Sequence, residues 1–276
     1  MSMGRNGEVS IYYESFGDPS RPTLLLINGL GSQCINYAVE WCELFGEKGF
    51  HVVRFDNRDV GLSSKVDGLR YTLADMANDA IAVLDAMRVE RAHVMGCSMG
   101  GMIAQRLAID HPDRLLSITS VMSRTGEPDY GASSDEALAF LTAAPAASRA
   151  EFIENRVAAI RVYGSRPEWI DEDVIRGRAG AAYDRCFCPA GIGRQMAAVM
   201  RDGARADALR EVRLPALVIH GSRDTLIAPS GGRRTADLIP GARYVEIEGM
   251  GHDYPPAVWN EWVTTWSDFV RAAITT

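Results

Sequence analysis

An α/β protein, with a mostly parallel, doubly wound sheet and a helical insertion before its last two strands, is what this sequence predicts. Short apolar runs, mostly rich in β-branched residues, recur along the 276 residues, and such runs read as strands buried on both faces of a parallel sheet. Amphipathic helical patterns lie between several of them, which implies right-handed crossovers. Between about 125 and 212 the strand-like runs stop and only helix-like segments appear.

Residues 9–16 alternate like a strand and end at the turn signal Gly17-Asp-Pro-Ser20. The buried strands are then expected at 23–27, 51–55, 92–95, 116–121, 216–219 and 244–247. Thr72 and Asp75 have the spacing of a capping box, and Leu73, Met76, Ala77, Ala80, Ile81, Leu84 and Met87 follow with one apolar stripe. A second helix covers 102–109, and the insertion carries helical patterns at 150–163, 171–186 and 193–200. This divides the chain into a core of 1–124 and 213–276 and a helical cap of 125–212 over the carboxyl edge of the sheet. Near the C-terminus Trp259, Trp262 and Trp266 recur at helical spacing. They are expected to pack the last helix on the sheet, with a dimer interface as the alternative, so the protein is read as a monomer or homodimer.

Composition excludes several function classes. Lys plus Arg is 29 against 36 for Asp plus Glu, a net charge of −7, and no basic stretch could track a phosphate backbone, so no nucleic acid is expected. No run of 18 apolar residues and no apolar leader occurs, so neither a membrane span nor export is expected. Cys34, Cys42, Cys97, Cys186 and Cys188 are an odd set at irregular spacing, which suits reduced thiols in a cytoplasmic protein. Cys186-Phe-Cys188 offers two ligands with no His pair nearby, so no metal is expected.

The strongest chemical signal is Gly96-Cys-Ser98-Met-Gly100-Gly101, directly after a strand and before a helix. That context fits a G-x-S-x-G nucleophile elbow, with Ser98 at the tip of a tight turn and the Met99 amide available to an oxyanion. A serine needs a base, and the base needs an acid to fix its tautomer. Asp224 follows the strand ending at 219 and His252 follows the strand ending at 247, in the chain order Ser, Asp, His that this arrangement requires. A second oxyanion donor is expected from Asn28-Gly-Leu-Gly31, with the Leu30 amide as candidate. Asp253 and Asp202 are the rival acids. Of the other histidines, His51, His93 and His111 are read as structural, and His220 as a buried hydrogen-bonding residue bordering the site.

One competing pattern exists. Gly29-x-Gly31 with Asp56, 56 − 34 = 22 residues past Cys34, imitates a dinucleotide fingerprint. It puts Cys34 where Gly or Ala belongs and leaves Ser98, Asp224 and His252 unexplained, so a dinucleotide-dependent oxidoreductase is disfavoured.

Together these residues resemble the α/β-hydrolase fold superfamily over nearly the whole chain. Asp56-Asn-Arg-Asp-Val-Gly-Leu-Ser63 is similar to its D-x-R-G-x-G-x-S loop, with Asp59 in place of glycine. That variant, with Gly-Met-Gly-His252 and a cap of this length, is most similar to aclacinomycin methylesterase and related bacterial esterases. Asn28 stands where many relatives carry His, and Cys97 precedes the nucleophile. The resemblance implies a serine hydrolase that cleaves a carboxylic ester of a small molecule without a cofactor. A perhydrolase or haloperoxidase-type activity or a lactonase is the alternative on the same triad, and a hydrolase-fold ligand receptor lies further off. Tyr163, Trp169, Tyr183, Phe187, Met196 and Met200 in the cap are the candidate substrate-pocket residues.

Overall fold

The computed structural model describes residues 1–274. Its strands are β1 (Ser2–Asn6), β2 (Val9–Phe16), β3 (Thr23–Ile27), β4 (His51–Phe55), β5 (Ala92–Cys97), β6 (Leu115–Val121), β7 (Ala216–Gly221) and β8 (Arg243–Ile247). The helices are α1 (Val39–Glu47), α2 (Leu73–Ala86), α3 (Met99–Asp110), α4 (Asp135–Thr142), α5 (Arg149–Tyr163), α6 (Glu172–Arg185), α7 (Pro189–Asp202), α8 (Ala206–Leu209), α9 (Pro229–Leu238) and α10 (Pro256–Ile274). The sheet runs β1-β2-β4-β3-β5-β6-β7-β8. β1 and β2 are antiparallel to their neighbours, and every pairing from β4 to β8 is parallel.

All five residues of β3 and all five of β4 are buried because both faces of the sheet are covered. Leu25, Ile27, Val53, Phe55, Val94 and Ile118 point into one apolar layer with α2 and α3. Leu24, Leu26, Val52, Met95 and Leu217 point the other way, toward Trp41 and Phe45 of α1 and Trp262 and Trp266 of α10. Thr72 and Asp75 form the expected capping box. Trp262 and Trp266 are fully buried, Trp262 edge-on to Trp41 and Tyr254, so their role is packing.

Elements beyond the sequence expectation include β1, α4, α8 and α9. β1 was not anticipated, because only Gly4 of its five residues is buried and no alternation marks it. Pairing with β2 forms it, and Gly4 lies against the α2 backbone, where an added Cβ would approach the Ala82 carbonyl oxygen to 2.8 Å. α4 and α8 are likewise additional, each too short to show periodicity. Helices α4 to α8 all lie between β6 and β7, with no strand among them.

Candidate active site

Ser98, Asp224 and His252 each sit just beyond the carboxyl end of a strand, β5, β7 and β8 respectively, the edge where ligand crevices form in such sheets. Ser98 has φ 57° and ψ −120°, a left-handed conformation that a non-glycine residue holds only under constraint from its surroundings. The constraint is visible. Ser98 donates its N–H to Val121 (2.9 Å), and its carbonyl accepts from Gly101 N (2.9 Å) and Ser123 Oγ (2.8 Å). A Cβ at Gly100 would collide with the Ile27 carbonyl oxygen, so the glycine that ends the motif is sterically required. Ser98 Oγ makes no hydrogen bond among the described residues. Cys97 is buried, and burial pushes its thiol up to about 12, so no thiolate competes with the serine.

Asp224 is buried and fully engaged. Its Oδ1 accepts from Leu226 N and Ile227 N, both at 2.9 Å, and its Oδ2 accepts from His252 Nδ1 at 2.7 Å. Burial acts to raise its pKa, but the charge of His252 and hydrogen bonds from His220 and His252 outweigh this and hold the carboxyl below its ordinary value. His220 Nε2 lies 2.8 Å from the Ile227 carbonyl oxygen and 3.4 Å from Asp224 Oδ2. With Nδ1 of His252 committed to Asp224, Nε2 is the nitrogen left to accept a proton. The rival acids are occupied elsewhere: Asp202 pairs with Arg106 and Arg205, and Asp253 Oδ1 accepts both N and Oγ of Ser165.

The loop 28–31 crosses the serine. A Cβ on Gly29 would sit 3.1 Å from Ser98 Cβ and 3.7 Å from its Oγ, so the absence of a side chain lets this backbone pass close to Ser98. The Leu30 and Met99 amides have no backbone or side-chain acceptor among the described residues.

Residues of the insertion reach the site in ways the sequence did not signal. His252 N donates to the Tyr163 carbonyl oxygen, and the Tyr163 ring stands edge-on to the imidazole with 6.0 Å between centroids. Ser165 Oγ accepts from Gly251 N, and Arg166 N donates to the Gly249 carbonyl oxygen. The end of α5 is thus built into the histidine loop. Burial raises the Asp253 carboxyl that anchors this joint, against the hydrogen bonds of Ser165.

The pocket candidates divide. Tyr183 and Phe187 stack at 4.6 Å and meet Phe152 at 5.5 and 5.6 Å. Phe152 and Phe187 line a cavity of about 40 Å³ with Gly31, Val60 and Ile192, beside the loop that crosses Ser98. Trp169 lies under the Arg166 guanidinium and borders a surface cleft with Glu168, Asp171 and Asp173. Met196 is half-buried, whereas Met200 is 78% exposed and does not line an enclosed pocket. The reason lies in α7, whose buried stripe is Gly191, Gln195 and Ala198. A polar residue points inward there and a methionine outward.

A family model described as the alpha/beta hydrolase fold matches residues 22–254. The chain is 34% identical over 274 residues to rhodomycin D methylesterase DauP of Streptomyces sp. (strain C5), 91% of each being covered. It is 33% identical over 276 residues to rhodomycin D methylesterase DnrP of Streptomyces peucetius, 92% of each being covered. Among solved structures, the enol-lactonase from Burkholderia xenovorans LB400 superposes with a TM-score of 0.79 over 98% of this chain and 99% of that one, at 24% identity, a likeness of fold.

Proposed function

We propose that this chain, which belongs to the alpha/beta hydrolase fold family, is a cofactor-independent serine hydrolase that cleaves a carboxylic ester of a mid-sized hydrophobic molecule, a methyl ester in the first instance. The observation that carries the reading is the pair of constraints at the sheet edge: a serine held at φ 57° and a histidine bound through Nδ1 to a buried carboxylate. The methylester specificity draws its support from the two rhodomycin D methylesterases.

In this mechanism Ser98 Oγ attacks the ester carbonyl carbon while His252 Nε2 takes the hydroxyl proton, and Asp224 stabilises the imidazolium. The carbonyl oxygen becomes an oxyanion facing the Met99 and Leu30 amides. The C–O bond to the alcohol breaks as His252 returns the proton to the leaving oxygen. Water then attacks the acyl-enzyme, with His252 again as base, and frees the acid. The hydrogen bond from Ser98 Oγ to His252 Nε2 forms as substrate enters, since catalytic contacts are often completed only in the substrate complex. Phe152 and Phe187, which line the small cavity beside Gly31, are the candidate contacts for the apolar part of the substrate nearest the loop over Ser98. Five free cysteines support a reducing, cytoplasmic setting, and no described helix is long and apolar enough to cross a membrane.

The test is labelling with a fluorophosphonate probe, joined to a panel of esters varied in acyl chain and leaving group. Ser98 is expected to carry the label, and Ser98→Ala is expected to lose turnover by about 10⁶-fold. A label on Cys97, or a Ser98→Ala variant of near-normal activity, overturns the reading. Preference for lactones or for perhydrolysis over every ester tested would transfer the triad to the alternative chemistry.

A further inference from the structure

A loop with glycines at two of its four positions has little conformational preference of its own, yet an oxyanion donor stabilises charge only when held in place before the reaction. Residues 28–31 carry Gly29 and Gly31, the latter at φ 68°. What restrains them is therefore part of the chemistry. Inside the core, Ser32 N donates to the Gly29 carbonyl oxygen (3.2 Å) and Asn57 Nδ2 to the Asn28 carbonyl oxygen (3.0 Å). The peptide that follows Leu30 is held from outside the core, because Gly31 N donates to Gln195 Oε1 at 2.9 Å.

Gln195 is on α7, in the helical insertion, and is fully buried. Its amide is used at both ends, since Nε2 donates to the Arg58 carbonyl oxygen at 2.7 Å. Ile192, one turn earlier, packs beneath Gly31, where an added Cβ would lie 3.1 Å from its Cδ1. Arg194 clamps the same helix to the core through two bonds to Asp59, at 2.9 and 2.7 Å. A buried glutamine with both polar ends satisfied has one orientation, and it transmits the position of α7 to the loop over Ser98.

We infer that Gln195 is a positioning residue of the oxyanion hole, through which docking of the helical insertion sets the geometry of the Leu30 amide. The inference rests on the serine-hydrolase reading above, with Leu30 as an oxyanion donor. Gln195 does not touch the substrate. It acts through Gly31, so its loss weakens transition-state stabilisation more than substrate binding.

The experiment uses Gln195→Met, which keeps the length and loses both hydrogen bonds, and Gln195→Glu, which keeps an acceptor for Gly31 N. For each, kcat and KM are measured on p-nitrophenyl acetate, and inhibition is measured with phenylboronic acid, whose tetrahedral adduct on Ser98 calls on the oxyanion donors. Gln195→Met is expected to lower kcat roughly 10- to 100-fold with KM changed less than about threefold, and to weaken phenylboronic acid by a similar factor. Gln195→Glu is expected to recover most of that loss. A folded Gln195→Met enzyme with wild-type kcat and inhibitor affinity overturns the inference, as does a loss confined to KM. Should Gln195→Met not fold, Gln195→Asn, one methylene too short to bridge Gly31 and Arg58, is judged by the same two outcomes. A wild-type protein that hydrolyses no ester, or does so without Ser98, defeats the underlying reading instead, so the two failures are distinct.

Discussion

Asp224→Asn tests the assignment of the acid, and the structure dictates which way the new amide must face. Oδ1 of Asp224 receives two backbone N–H groups, from Leu226 and Ile227, in a fully buried position. An asparagine that turned its NH₂ toward them would leave two buried donors unpaired, at about 1–3 kcal/mol each. The amide oxygen therefore stays on that side and the NH₂ faces His252 Nδ1, 2.7 Å away in the wild type. That nitrogen must then accept, its proton moves to Nε2, and the imidazole can no longer take the proton of Ser98. Wrong-tautomer histidine in such a triad reduces turnover about 10⁴-fold, equivalent to roughly 5.4 kcal/mol of transition-state stabilisation. The assay is kcat/KM on an activated ester, with circular dichroism to establish that the variant is folded. Asp253→Asn is the control, since an amide oxygen can still accept from Ser165 N and Oγ, and its loss is expected to stay within about tenfold. An Asp224→Asn enzyme within tenfold of wild type, beside a crippled Asp253→Asn, would refute the argument.

Two stability measurements address the scaffold. Trp262→Ala removes a fully buried indole from the α1–α10 aromatic layer and is expected to cost about 3–5 kcal/mol in urea unfolding, with the oligomeric state by light scattering unchanged; dissociation of a dimer without loss of stability would contradict the packing role. His93 is held down to about 4 by burial and, secondarily, by the charge of Arg91. Its neutral form therefore stabilises the fold fully above pH 6.5, and this contribution is lost as pH falls from 6.5 through 4. The contribution is on the order of 3 kcal/mol, with about 2 kcal/mol gone by pH 5. Comparing His93→Phe with wild type by urea unfolding at pH 7 and pH 5 checks this, and equal acid destabilisation of the two proteins would refute it.

The sheet was legible because a strand covered on both faces is apolar at most positions, and β3 and β7 carry that mark in unbroken runs of four, Leu24 to Ile27 and Ala216 to Ile219, while β4 and β6 keep it around Arg54 and around Ser117, Thr119 and Ser120. The elbow was legible for a related reason: close backbone approach at Gly96 and Gly100 demands glycine, and that demand is local to six residues. β1 was not, because a strand formed by pairing at a sheet edge needs no hydrophobic pattern of its own. Residue types and chain order set out Ser98, Asp224 and His252 as candidates. Chain order favoured Asp224 over Asp253, and tertiary structure supplied the contacts, His252 Nδ1 against Asp224 and Ser165 against Asp253. Tertiary structure alone decided the inner face of α7. A helix that docks on polar backbone buries the residue able to satisfy those groups, so Gln195 turns inward and Met200 outward, and hydrophobicity read along a sequence cannot see a partner that another segment supplies.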